Sequence, residues 1–198
     1  MGNVGSVQNM LKKIGVKSKI TFDYKDIECA EKIIIPGVGA FGNAMKQLKE
    51  YGIITILNHK VNQDNTPVLG ICLGMQIMAK KSEEGELPGL GWIDAEVKKF
   101  RFENIKHSNL KIPHMGWNKL MIKNPNPLFD GLADDSRFYF VHSYHMVCNN
   151  KNNVLAETEY GYDFASVVSR DNIIGVQFHP EKSHKFGMKL LKNFVENY

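Results

Sequence analysis

Pro67-Val68-Leu69-Gly70-Ile71-Cys72-Leu73-Gly74-Met75-Gln76 reads as a buried strand that turns sharply into a helix, with a cysteine at the corner. A cysteine between two glycines at such a corner has the layout of a nucleophile elbow, where a strained turn holds the reactive atom clear of the backbone. Bulkier residues on either side would collide with neighbouring chain. Two glycines at these offsets from a given cysteine arise by chance about once in 200 tries, so a small buried thiol near an ordinary turn is the weaker explanation. Far downstream stand His179-Pro180-Glu181. On extended chain His179 and Glu181 point to the same side, with Pro180 fixing the local bend. His179 is then a base and acid, and Glu181 the group that orients it and stabilises its charge.

The rest of the pattern places that elbow in an α/β domain. Val7, Met10, Leu11 and Ile14 mark one face of an opening helix that Gly15 stops. Val16 to Phe22 reads as a strand, and so does Lys32-Ile33-Ile34-Ile35, which Pro36-Gly37-Val38-Gly39 closes. Ala44 to Tyr51, Ile53 to Lys60 and Leu73 to Lys80 read as helices, and Val68 to Ile71 as a strand. Strands alternating with helices indicate a parallel sheet covered on both faces. Later come short strands over Ala95 to Phe102, Asn118 to Ile122, Phe138 to Val147, Val154 to Thr158, Ala165 to Ser169 and Ile173 to Phe178, then a closing helix over Lys185 to Val195. These are antiparallel additions to a mostly parallel central sheet. No repeat or linker divides residues 1–198, so a single domain is expected.

Composition excludes several classes. The net charge is +4 with lysines scattered, and Lys98-Lys99-Phe100-Arg101 is too short a run for a nucleic-acid footprint. Three cysteines at positions 29, 72 and 148 form no CxxC pair, which suits free thiols in a reducing, cytoplasmic setting. The N-terminus lacks a signal-peptide layout, and no apolar run approaches the roughly 18 residues that span a bilayer. His142, His145 and Cys148 have a metal-like spacing of three, but odd offsets along one strand send successive side chains to opposite faces. No metal is expected, and none of the motifs calls for a cofactor. Trp92, Trp117, Met75 and Met78 read as packing residues.

Sites in such sheets form beyond the carboxyl ends of strands. A thiolate at Cys72 is favoured by the positive end of the following helix, and the Leu73 N–H points where an oxyanion would develop. The Val38 or Gly39 N–H is the expected second donor.

Gly70 through Gln76 with the later His-Pro-Glu resembles the class I (triad) glutamine amidotransferase family, which hydrolyses glutamine and passes ammonia to a synthase partner. Pro36 through Gly42, Pro113-His114-Met115-Gly116-Trp117-Asn118, Phe140-Val141-His142-Ser143-Tyr144 and Gly175 through Ser183 extend the likeness over essentially the whole chain. They are most similar to the glutaminase subunits that serve a (β/α)₈-barrel cyclase in histidine biosynthesis. The resemblance implies a flavodoxin-like fold and a heterodimer. Cys72, His179 and Glu181 would be the triad. Gln76, Glu84, His142, Ser143 and Tyr144 would hold the glutamine, and Val38, Gly39 and Leu73 would form the oxyanion hole. Met115, Trp117, Tyr139 and Lys182 would face the partner. Members of the family start with an apolar strand ending in Asp-Tyr-Gly before the Gly-Asn seen here as Gly2-Asn3. That strand normally lies mid-sheet, so unpaired edges are expected here. A glutaminase feeding a sugar-modifying amidotransferase, or a non-catalytic scaffold, would be the alternatives.

Overall fold

A computed structural model describes residues 4–103 and 110–198. Helix α1 (Val4–Lys13) buries Val7 and Leu11, and Gly15 follows with φ +82°. A short α2 (Tyr24–Glu28), β1 (Ile33–Gly37), α3 (Phe41–Glu50), α4 (Ile54–Asn62), β2 (Val68–Cys72) and α5 (Leu73–Gln76) complete the first half. The second half holds β3 (Lys81–Ser82), β4 (Ala95–Lys99), β5 (His114–Lys119), β6 (Met121–Ile122), β7 (Arg137–His142) and β8 (Tyr144–Cys148). It closes with β9 (Val154–Tyr160), β10 (Tyr162–Arg170), β11 (Ile173–Val176) and α6 (His184–Asn197).

The main sheet runs β1-β2-β11-β10-β8-β4-β3, with β9 pairing β10 and β6, while β5 and β7 form a separate two-stranded sheet. β1 and β11 both run parallel to β2, and antiparallel strands extend the sheet beyond β11. Every residue of β2 is buried. Successive residues of β2 and β11 serve opposite cores, which is why these strands read as unbroken apolar runs. Val68 and Ile173 pack among Met45, Leu57 and Met75, whereas Leu69 and Ile174 pack among Phe178, Leu190 and Phe194. Met75 and Met78 are buried, as expected of packing residues. Among the described residues no helix is long and apolar enough to cross a membrane.

Several expected elements differ. Residues 16–22 form no strand: among the described residues no strand pairs with them, Ile20 and Phe22 are exposed, and Phe22 stacks on Tyr51 instead. Asp23 then starts α2, its side chain accepting from the Lys25 and Asp26 N–H groups. The helix behind the elbow ends at Gln76 rather than Lys80. The chain at Gly89–Gly91 turns back to bond the Ile77, Ala79 and Lys80 carbonyls, and helix cannot continue there. The run Phe138 to Val147 is two strands in two different sheets, broken at Ser143. That break also overturns the alternating-face argument for His142 and His145, because both rings pack against Phe100. Among the described residues no group of three or more His, Cys, Asp or Glu side chains is placed to hold a metal ion. Trp92 is buried, but Trp117 is 44% exposed and is no core residue. β1 is an edge strand whose residues are all half-buried, and Gly2-Asn3 lie outside the described residues.

Candidate active site

Because β1, β2 and β11 are parallel neighbours, their carboxyl ends meet. Gly37 pairs with Cys72 in register, and Val176 pairs with Ile71, so the chain leaving β11 carries His179 toward the cysteine. The bridge between Tyr139 and His179, with His179 N–H donating to the Tyr139 carbonyl at 2.9 Å, ties that segment to β7.

Cys72 sits at φ 54°, ψ −110°, a conformation costly for any residue but glycine. Tight packing around the corner holds it there. A Cβ on Gly70 would lie 2.6 Å from the Gly74 carbonyl oxygen, and one on Gly74 would lie 1.7 Å from the Ile35 oxygen. The glycines on either side of the cysteine are therefore demanded by close backbone approach.

A cavity of about 390 Å³ opens at this corner. Cys72, Leu73, Val38, Gly39, Gln76, Glu84, His142, Ser143, Tyr144 and His179 line it, so the expected nucleophile, base, oxyanion-hole and substrate residues share one space. Gly39 has φ +102°, and Gly37 leaves no room for a Cβ against Leu73 and Gly74, so the β1 loop crosses close to the start of α5. Glu84 accepts from the Phe41 N–H at 2.8 Å, which caps the first turn of α3 while placing a carboxylate in the cavity wall.

His179 and Glu181 are almost wholly buried, with Nδ1 and Oε1 2.7 Å apart. The carboxylate can only accept, so Nδ1 carries the proton and Nε2 is directed away from Glu181. Burial opposes charge on His179, but the hydrogen-bonding and Coulombic pull of Cys72 and then Glu181 outweighs it and raises the imidazole to about 9. The site therefore favours the imidazolium form of His179. Burial holds His142 low, at about 3, so that ring is neutral.

Met115, Trp117, Tyr139 and Lys182 lie outside the cavity and cluster on one surface. Met115 is 61% exposed. Trp117 stacks on His184 and meets Tyr139 edge-on, and the Lys182 Nζ lies 5.6 Å from the Tyr139 ring centroid. Pro113 and Val141 also line the cavity without having been assigned a role. Gln177 is fully buried beside the cysteine. Its position two residues before His179, on the same side of extended chain, was the available signal.

A model of class-I glutamine amidotransferases matches residues 2–198, and the chain belongs to that family. It is 56% identical over 196 residues, 99% of this chain and 95% of the relative, to imidazole glycerol phosphate synthase subunit HisH 2 of Methanococcus maripaludis. It is 50% identical, over the same shares, to the HisH 2 subunit of Pseudomonas aeruginosa. A crystal structure of a glutamine amidotransferase shares the fold at a TM-score of 0.73 and 23% identity, covering 98% of this chain and 93% of that one.

Proposed function

We propose that this chain is the glutaminase subunit of an imidazole glycerol phosphate synthase, hydrolysing glutamine and passing ammonia to a (β/α)₈-barrel cyclase in histidine biosynthesis. The observation that carries this is the meeting of Cys72 and the buried His179–Glu181 pair at one cavity, in a chain whose relatives bear the HisH name. A cytoplasmic heterodimer follows from the same proposal. No observation favours a sugar-modifying partner, and a scaffold would have no use for the strained cysteine.

The chemistry follows from the geometry. Glutamine enters with its α-ammonium toward Glu84 and its α-carboxylate toward the Ser143–Tyr144 backbone. The Cys72 thiolate attacks the side-chain amide carbon, and the oxyanion is met by the Leu73 N–H and by the Val38 or Gly39 N–H. His179 Nε2–H gives its proton to the leaving nitrogen as the C–N bond breaks, producing ammonia and a γ-glutamyl thioester. Water then attacks, His179 takes its proton, and the C–S bond breaks to release glutamate and restore the ion pair. The exposed surface of Met115, Trp117, Tyr139 and Lys182 is where the barrel docks.

Replacing Cys72 by alanine tests the assignment. Glutamine-dependent turnover is expected to fall by several orders of magnitude, while the assembled synthase still works with added ammonium salt. Glutamine hydrolysis that survives in Cys72→Ala would refute it.

A further inference from the structure

We propose that Gln177 is a further catalytic residue: its carboxamide N–H donates to Cys72 Sγ, and Gln76 is the positioning residue that decides which end of that carboxamide meets the sulfur. Cys72 as nucleophile is the premise. Gln177 Nε2 stands 3.8 Å from Cys72 Sγ in a fully buried setting. The two ends of a carboxamide differ only in what they bond, so the surrounding network must choose between them.

Here the choice is forced. Gln76 Nε2 lies 2.9 Å from the Tyr144 carbonyl oxygen, which can only accept, so this atom is a donor nitrogen. The same nitrogen lies 3.0 Å from Gln177 Oε1, which must therefore accept. The Gln177 NH₂ is left facing the sulfur. The Tyr144 carbonyl is itself held from a second side by His142 Nδ1 at 2.7 Å. Gln177 is anchored through its main chain, where its N–H bonds the Ser166 carbonyl at 2.9 Å. One backbone run thus aims His179 at the cysteine and Gln177 at the same atom, two residues apart.

A donor to sulfur acts at the steps where sulfur is charged. It favours the thiolate over the thiol before attack, because a hydrogen bond to the charged form stabilises that form. It weakens when the thioester forms and sulfur becomes neutral. It strengthens again as the C–S bond breaks and the electron pair returns to sulfur. Ground-state glutamine binding gains nothing from it, so the effect belongs in kcat and not in KM.

Gln177→Met keeps the side-chain length and removes the donor, while Gln177→Glu puts a carboxylate oxygen in its place. Both are compared with the full-length wild type in two assays. One is iodoacetamide alkylation as a function of pH, read on the Cys72 peptide by mass spectrometry. The other is glutamine hydrolysis with the barrel partner present. The alkylation midpoint is expected to rise by roughly one pH unit in Gln177→Met and further in Gln177→Glu. Turnover should fall about 10- to 100-fold, the loss typical of one hydrogen bond to a charged group, with the glutamine KM within about twofold of wild type. Unchanged alkylation midpoint and turnover in whichever variant folds would overturn the proposal, as would a raised KM with unchanged alkylation. A glutamine-derived chloroketone is applied to the wild type in parallel. If it labels Cys72, the nucleophile stands and the Gln177 variants decide the rest; if it leaves Cys72 unlabelled, the premise itself falls.

Discussion

His179 Nδ1 and Glu181 Oε1 lie 2.7 Å apart with one residue, Pro180, between them in the chain. His179 ends the extended run at φ −103°, ψ 97°, and Pro180–Lys182 form a 3-10 turn. That turn brings the carboxylate back to the imidazole, a shape that extended chain through Glu181 would not produce. Ser183 locks it, its Oγ donating to the His179 carbonyl at 2.7 Å and accepting from the Tyr139 N–H at 3.0 Å.

Removing the charge of that carboxylate has a predictable signature. Against the lowering effect of burial, Cys72 and then Glu181 raise His179 to about 9, so the imidazolium proposed to protonate the leaving nitrogen persists until the pH climbs through that value. Glu181→Gln takes away one of the two supports. The alkaline limb of the hydrolysis pH profile should therefore move to lower pH, with kcat reduced and the glutamine KM nearly unchanged. A large rise in KM at constant kcat would instead make Glu181 a substrate-binding group.

Gly74 and Gly42 offer a paired stability test. Alanine at 74 would drive its Cβ to 1.7 Å from the Ile35 oxygen, whereas at 42 the nearest contact is Gly85 Cα at 3.9 Å. Gly74→Ala should lose about 3 kcal/mol or more in chemical denaturation, or fail to fold, while Gly42→Ala in α3 should be neutral or gain up to about 1 kcal/mol. Equal stability of the two variants would show that the elbow relaxes.

Acid should destabilise the fold through buried histidines. Burial lowers His114, His142 and His145 from 6.5 to about 4, 3 and 4. As pH falls below 6.5 the unfolded chain takes up protons that the folded chain refuses, so stability drops by up to about 1.4 kcal/mol per pH unit for each histidine until the folded values are reached. His179 acts in the opposite sense: its contribution is complete below 6.5 and is lost as pH rises through about 9. His145→Phe, placed among Phe100, Tyr162 and Phe164, should flatten the acid slope measured by denaturant titration between pH 4 and 7. An unaltered slope would mean that His145 protonates freely in the native state.

Lys182 lies on the exposed cluster with Tyr139 and Trp117 and has no place in the cavity. The proposed barrel partner is expected to stimulate glutamine hydrolysis when its phosphorylated substrate binds; Lys182→Ala should leave basal hydrolysis intact and shrink that rise by about 5-fold or more. Glutamate and cyclised product are measured together, with and without the acceptor. A full response in the variant would remove Lys182 from the coupling surface.

The elbow was legible because its chemistry is local. Gly70 and Gly74 are required by contacts within a few residues or with the adjacent strand, and an unbroken apolar run before a glycine marks a buried parallel strand wherever it falls. Residues 16–22 show the limit of the same reasoning. Their β-branched and aromatic pattern suits a strand, yet a strand exists only where another offers its N–H and C=O groups, and none among the described residues does so here. The break at Ser143 was hidden for a related reason. Phe138 to Val147 has strand composition throughout, and only the competing demands of β5 on one side and of β4 and β10 on the other divide it between two sheets.

Residue identity alone singled out Cys72, His179 and Glu181 as the proposed nucleophile, base and carboxylate partner, because each role depends on what a side chain can do chemically. The tertiary structure decided their arrangement: β1, β2 and β11 ending together, Trp117 facing solvent instead of the core, and Gln177 turned toward the sulfur. These are long-range outcomes. Gln76 and Gln177 are 101 positions apart, and the 3.0 Å bond that orients the amide exists only once the sheet has brought them together.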